Sequence, residues 1–203
     1  ALGGGFEPLP ATRTEVEIIS RLWRDARRDE PVQVIGGAEA TEARLLATPP
    51  PRVLHLATHG FFLAPREPSD RPMTLAGVAL AGANRELRGA AREGILYAIE
   101  AQGLNLEGTD LVVLSACETG QGQVDHAEGL SGLVRALRTA GARHVLVSLR
   151  DVSDAGTAAF MARFYARLLA DGGTEPAAAL RATQREMSGA ADPSWSRFIL
   201  IGG

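Results

Sequence analysis

The chain has 203 residues, 45% of them hydrophobic, which is enough for one domain with a sizeable core. Its 21 basic and 24 acidic side chains form no long block of one sign, so a nucleic-acid-binding arm is excluded; the basic residues at 24–28 alternate with Asp25, Asp29 and Glu30 and read as a solvated helix face. One cysteine excludes an internal disulfide and, with only four histidines, a cysteine-rich zinc site, while no apolar run reaches the roughly 18 residues of a membrane span. A lone cysteine suits a reducing compartment, and residues 1–10 lack the basic start and apolar core of a secretory signal, so a cytoplasmic setting away from membranes is expected.

Residues 12–30 carry Val16, Ile19, Leu22, Trp23 and Ala26 at helical spacing, with Thr12 or Thr14 able to cap. Residues 32–35 form a β-prone run ended by Gly36 and Gly37, and a second helix starts at Thr41, with Glu42 in its first turn. Pro49, Pro50 and Pro51 stop it ahead of an apolar strand at 53–58. Residues 64–100 are rich in Pro and Gly; they predict a loop, a strand or hairpin around 75–81, a tip near 84–92 and a short helix near 95–102. An excursion of this length between core strands reads either as a decorative insertion or as an overhang on a functional crevice, and its place beside the reactive residues described next favours the crevice. Three further strands are expected at 111–116, 144–149 and 197–201. Between them lie helices at 129–141, where Leu130, Leu133, Val134 and Leu137 share a face, at 155–170, and from Pro176 to about residue 188. The alternation predicts an α/β fold with a mostly parallel sheet and helices on both faces.

Two strands stop on reactive side chains. VLHLATHGF (53–61) reaches His59, DLVVLSACETGQG (110–122) reaches Cys117, and turn residues follow each. In a parallel sheet the carboxyl ends of the strands open onto the crevice where chemistry is done, so neighbouring strands would bring a nucleophile and a base together. A thiol at a loop or helix start is favoured as thiolate by nearby amides, and Gly60 lets the backbone point an N–H into the cleft. Thiolate, imidazole and two N–H donors are the parts that acyl transfer needs. His55 is expected to be a packed, hydrogen-bonded histidine, His126 a loop residue and His144 a strand-entry residue. His55, His59 and His126 lack acidic partners at metal-binding spacing, so neither metal nor cofactor is expected. No G-x-S-x-G elbow and no P-loop occurs.

The segments VLHLATHGFF (53–62), VVLSACETGQG (112–122), EGLSGLVRALRTAGARHVLVSLRDVSDAGT (128–157), MARFYARLLADG (161–172) and WSRFILIG (195–202) resemble the CHAT domain, a branch of the caspase-like cysteine peptidases that includes separase. The resemblance implies a caspase-like three-layer sandwich over residues 1–203, lacking the family's first strand and upstream region. It also implies His59 as general base, Cys117 as nucleophile, and the amides of Gly60 and Cys117 as the oxyanion hole. The activity implied is that of a cysteine endopeptidase acting on protein or peptide substrates within a larger bacterial protein, often with tetratricopeptide repeats ahead of the domain. The competing reading is a silent interaction module on the same fold. Arg150 stands where the family usually has tryptophan, and ADPS (191–194) where His-Pro with an aromatic is common. Glu118 is expected to orient its loop rather than polarise His59.

For substrate binding, Ser115 offers a small neutral wall beside the nucleophile, and Asp151 is the candidate ligand for a basic P1 side chain unless Arg150 turns inward and either neutralises it or selects an acidic P1 instead. Asp154 is expected to cap the helix that follows. Control is expected from the upstream region, from a partner that orders residues 64–100, or from cleavage near Arg85, Arg88 or Arg92.

Overall fold

The structure is a computed structural model and describes residues 5–63, 71–89, 93–115, 117–118, 126–148, 152–170, 175–189 and 193–202. Helix α1 spans Pro10–Ala26. It begins earlier than the threonines suggest, because Pro10 takes the first helical position, where a missing N–H costs nothing. Its next amide, Ala11 N–H, donates to Asp154 Oδ2 at 2.7 Å. Asp154 therefore caps α1 across the fold, whereas its own helix, α6 (Asp154–Leu169), is capped by Ser153, whose side chain accepts from Gly156 N–H.

Residues 32–35 are not a strand. They make no backbone hydrogen bond among the described residues, and Val34 is 49% exposed. A strand needs a partner as well as β-prone residues, and the nearest free edge lies across a cleft of about 1620 Å³. That edge belongs to β1 (Val53–Leu56), reached after α2 (Glu42–Leu46), whose cap is Thr41 as expected.

The chain then continues as β2 (His59–Phe62) and enters the excursion. The hairpin around residue 75 is present: β3 (Ala76–Ala79) pairs antiparallel with β4 (Ile95–Tyr97), with α3 (Ala83–Glu86) at its tip. The expected helix at 95–102 thus yields its first turn to β4 and survives only as α4 (Ala98–Ala101). Strand pairing wins there because Ile95 and Leu96 are buried in the ladder. Gly94 makes the return tight: a Cβ there would sit 2.1 Å from Ala83 N and 2.2 Å from Gly82 C. Backbone cannot yield as a side chain can, so Gly94→Ala is expected to destabilise the fold by about 1–3 kcal/mol, read as a lower urea midpoint.

The remaining elements are β5 (Leu111–Leu114), β6 (Cys117–Glu118), α5 (His126–Thr139), β7 (His144–Ser148), α6, α7 (Pro176–Met187) and β8 (Phe198–Gly202). His126 opens α5 rather than lying in a loop, and His144 does enter a strand. The main sheet has the order β1-β5-β7-β8, parallel except for β8. A second sheet has the order β4-β3-β2-β6.

Successive residues of the central strands divide between two cores. Val112, Leu114, Val145 and Val147 pack with α4 and α5, whereas Leu111, Val113 and Leu146 pack with α1, α6 and α7. Each fully buried aliphatic or aromatic side chain contributes about 1.5–3 kcal/mol, and the alternation spends this on both faces at once. On the second face Phe160 and Phe198 stack with ring centroids 3.9 Å apart. The expected α/β sandwich with a mostly parallel central sheet is what the chain forms. Among the described residues no helix is long and apolar enough to cross a membrane.

Candidate active site

The site rests on a register. Val53 pairs with Leu111 and Leu56 with Leu114, an offset of 58; after a short break, His59 pairs with Cys117 and Gly60 with Glu118 at the same offset. One pair of parallel strands therefore passes from the main sheet into the second sheet without slipping. At the break, Ser115 N–H donates to Leu56 O at 3.1 Å, and Thr58 Oγ1 donates to Ala79 O on β3. His59 and Cys117 are thereby direct neighbours across a ladder whose strands lie about 4.8 Å apart. For Cys117 and Glu118 the description stops at the backbone. Gly60 is buried between β3 and β6, in register with Val78 on one side and Glu118 on the other.

His59 is only 7% exposed. Its Nε2–H donates to the carbonyl of Glu7 at 2.5 Å, and the Phe6 ring stacks on it with centroids 5.5 Å apart. Because a carbonyl can only accept, this bond selects the tautomer with the proton on Nε2 and leaves Nδ1 with its lone pair. Nδ1 is buried without a hydrogen-bond partner among the described residues. A buried imidazole nitrogen with a free lone pair can accept a proton from a donor brought to it.

His55 is the packed histidine the sequence suggests, in surroundings the sequence does not reveal. Its Nε2 lies 2.8 Å from Glu15 Oε1 and 3.3 Å from Ser115 Oγ, and its Nδ1 lies 3.0 Å from the Tyr165 hydroxyl. Burial first, and the Glu15 carboxylate second, push the Tyr165 hydroxyl far above its ordinary pKa, so it remains an O–H donor. Tyr165 O–H then donates to Nδ1 and Nε2–H donates to Glu15. Glu15 is 1% exposed, and its second oxygen has no partner among the described residues. The helical period places Glu15 on the face beside Ile19 and Trp23, which is the one signal that could have exposed it in the sequence.

Ser115 is buried, with its hydroxyl directed to His55 and Leu56 O. Arg150 and Asp151 lie outside the described residues; beyond them Val152 is buried and Ser153 caps α6.

The family model described as CHAT domain matches residues 3–203 of the chain. The chain belongs to the CHAT family. None of the curated proteins compared with it matches. CHAT domains are related to the caspase-like peptidases. In this CHAT chain the strand that holds His59 and the strand that holds Cys117 pair in register.

Proposed function

We propose that the protein is a cysteine endopeptidase. The observation that carries the reading is the shared register of His59 and Cys117, together with a His59 tautomer whose Nδ1 is free to take a proton.

In this reading Nδ1 of His59 accepts the thiol proton, and the Cys117 sulfur attacks the scissile carbonyl carbon to give a tetrahedral oxyanion. The amides of Gly60 and Cys117 hold that oxyanion. The imidazolium then returns its proton to the leaving amine, the C–N bond breaks, and a thioester remains on Cys117. A water molecule, deprotonated by the same imidazole, hydrolyses the thioester and releases the acid and the free thiol. Two N–H donors in a site closed to water act where charge develops, which is why a backbone arrangement can contribute as much as a side chain. No residue beyond the pair is required for the proton cycle, and Glu118 orients its loop.

Substrate choice is read from the sequence: Ser115 adjoins the nucleophile, and Asp151 pairs bidentately with an arginine at P1, in competition with Arg150. The substrates are proteins or peptides, the setting is cytoplasmic, and control comes from a regulatory partner or from cleavage near Arg85, Arg88 or Arg92.

A thiol-directed peptidyl probe is expected to label the wild-type chain on Cys117 and not Cys117→Ala, with His59→Ala labelling far more slowly. Equal labelling of wild type and His59→Ala at neutral pH would remove the case for a base, leaving an interaction module with a reactive thiol.

A further inference from the structure

The segment ahead of α1 is held in a way that its function as a mere leader to a helix does not explain. Phe6 N–H donates to Asn84 Oδ1 at 2.7 Å, and Asn84 Nδ2 donates back to Phe6 O at 2.9 Å. Both backbone groups of one residue are thus captured by one side-chain amide, the arrangement in which an amide mimics a paired strand. Asn84 lies in α3, at the tip of the excursion, 78 positions away in sequence. The next residue, Glu7, supplies the carbonyl that receives His59 Nε2–H. Beyond it, Pro8 confines Glu7 to extended conformations, and the start of α1 is tied to Asp154. The strap is therefore fixed on both sides of the one carbonyl that orients the histidine.

Gly5 shows how closely the clamp fits. It adopts φ +76°, and a Cβ there would lie 2.8 Å from Asn84 Oδ1. The Phe6 ring, held by the same clamp, stacks on His59 and lies 5.9 Å from Phe61.

We propose that Asn84 is a positioning residue for His59: its amide clamps Phe6, sets the direction of the Glu7 carbonyl, and so fixes the tautomer and ring orientation that leave Nδ1 free to act as base. The inference rests on the endopeptidase reading for its catalytic consequence. It does not rest on it for the tautomer. The excursion is thereby part of the base, acting through the backbone of the strap, and a partner or cleavage event that displaced α3 would release His59.

The test uses the full chain and the variants Asn84→Ala, Asn84→Asp and Gly5→Ala, with two readouts. In ¹⁵N spectra of the imidazole, wild-type His59 is expected to show protonated Nε2 and unprotonated Nδ1 as one tautomer, and Asn84→Ala to show exchange-averaged shifts. On a cleavable peptide, Asn84→Ala is expected to lower kcat about 10²-fold with KM changed less than about twofold, because a small misplacement of a catalytic group has effects of this size. Asn84→Asp keeps the acceptor for Phe6 N–H and loses the donor to Phe6 O, so it is expected to retain part of the rate. Gly5→Ala disturbs the clamp from the strap side while leaving α3 intact, and carries the test if Asn84→Ala does not fold. A single Nε2–H tautomer in every variant, or unchanged kcat in a wild type that cleaves, overturns the assignment. A wild type that shows the expected tautomer and no hydrolysis instead counts against the endopeptidase reading, and leaves the clamp standing.

Discussion

Replacing Cys117 with alanine is expected to reduce peptide hydrolysis to background, and His59→Ala to lower kcat by roughly 10⁴-fold or more, since removing either member of a nucleophile–base unit disables the unit. The two losses should not add. With the thiol absent, the imidazole has nothing to deprotonate, so the double variant is expected to match Cys117→Ala. The starting point is the register that pairs the two backbones and the His59 Nε2–H bond to Glu7, which together direct one free nitrogen and one thiol-bearing residue to the same ladder position. His55→Ala serves as the control histidine: its nitrogens are engaged by Glu15, Ser115 and Tyr165, so it is expected to affect stability rather than the chemical step. Steady-state rates on a cleavable peptide, with the folded fraction measured in parallel, decide the matter. A His59→Ala variant that retained more than about a tenth of the wild-type kcat would be incompatible with general-base catalysis at this position.

The second large effect is on stability, at the buried pair. Substituting His55 by leucine is expected to destabilise the fold by about 3–5 kcal/mol, because it leaves the Glu15 carboxylate in the core with neither oxygen paired. The sign of the companion experiment is opposite to intuition. Replacing both residues, Glu15→Leu with His55→Leu, removes the charge together with its partner. The double variant is expected to be more stable than His55→Leu alone, its residual deficit being the Tyr165 hydroxyl without an acceptor, about 1–3 kcal/mol. Urea unfolding at constant m-value reads both numbers. Additive losses, with the double variant less stable than either single one, would show that the pair is not coupled and that Glu15 is held by other means.

This cluster links the main sheet to the helical layer on one of its faces, with Glu15 on α1, His55 on β1 and Tyr165 on α6. Through Ser115 it reaches the last described residue of the β5 end before Cys117.

The sequence by itself determined the parts that depend on local pattern. Apolar runs of strand length starting at 53, 111, 144 and 197, and the helical spacing of Leu130, Leu133, Val134 and Leu137, are properties of neighbours in the chain, and each became the element it suggested to within a few residues at its ends. The two residues of the proposed dyad were legible for the same reason, since each ends an apolar run and is followed by turn chemistry. Only the tertiary structure decided which strands pair and in what register. The identical offset of 58 on both sides of the break is a relation between distant segments, and no local feature of either encodes it. Residues 32–35 show the converse: β-prone side chains without a ladder partner form no strand, because a strand is stabilised across its edges rather than along its length. The group that orients His59 is a backbone carbonyl, which every residue possesses, so nothing in the identity of Glu7 could announce it. Asp154 on α1, Asn84 on Phe6 and Glu15 on His55 likewise join residues 143, 78 and 40 positions apart. Short polar side chains satisfy whatever donor or acceptor the fold brings to them, and that choice is made in three dimensions.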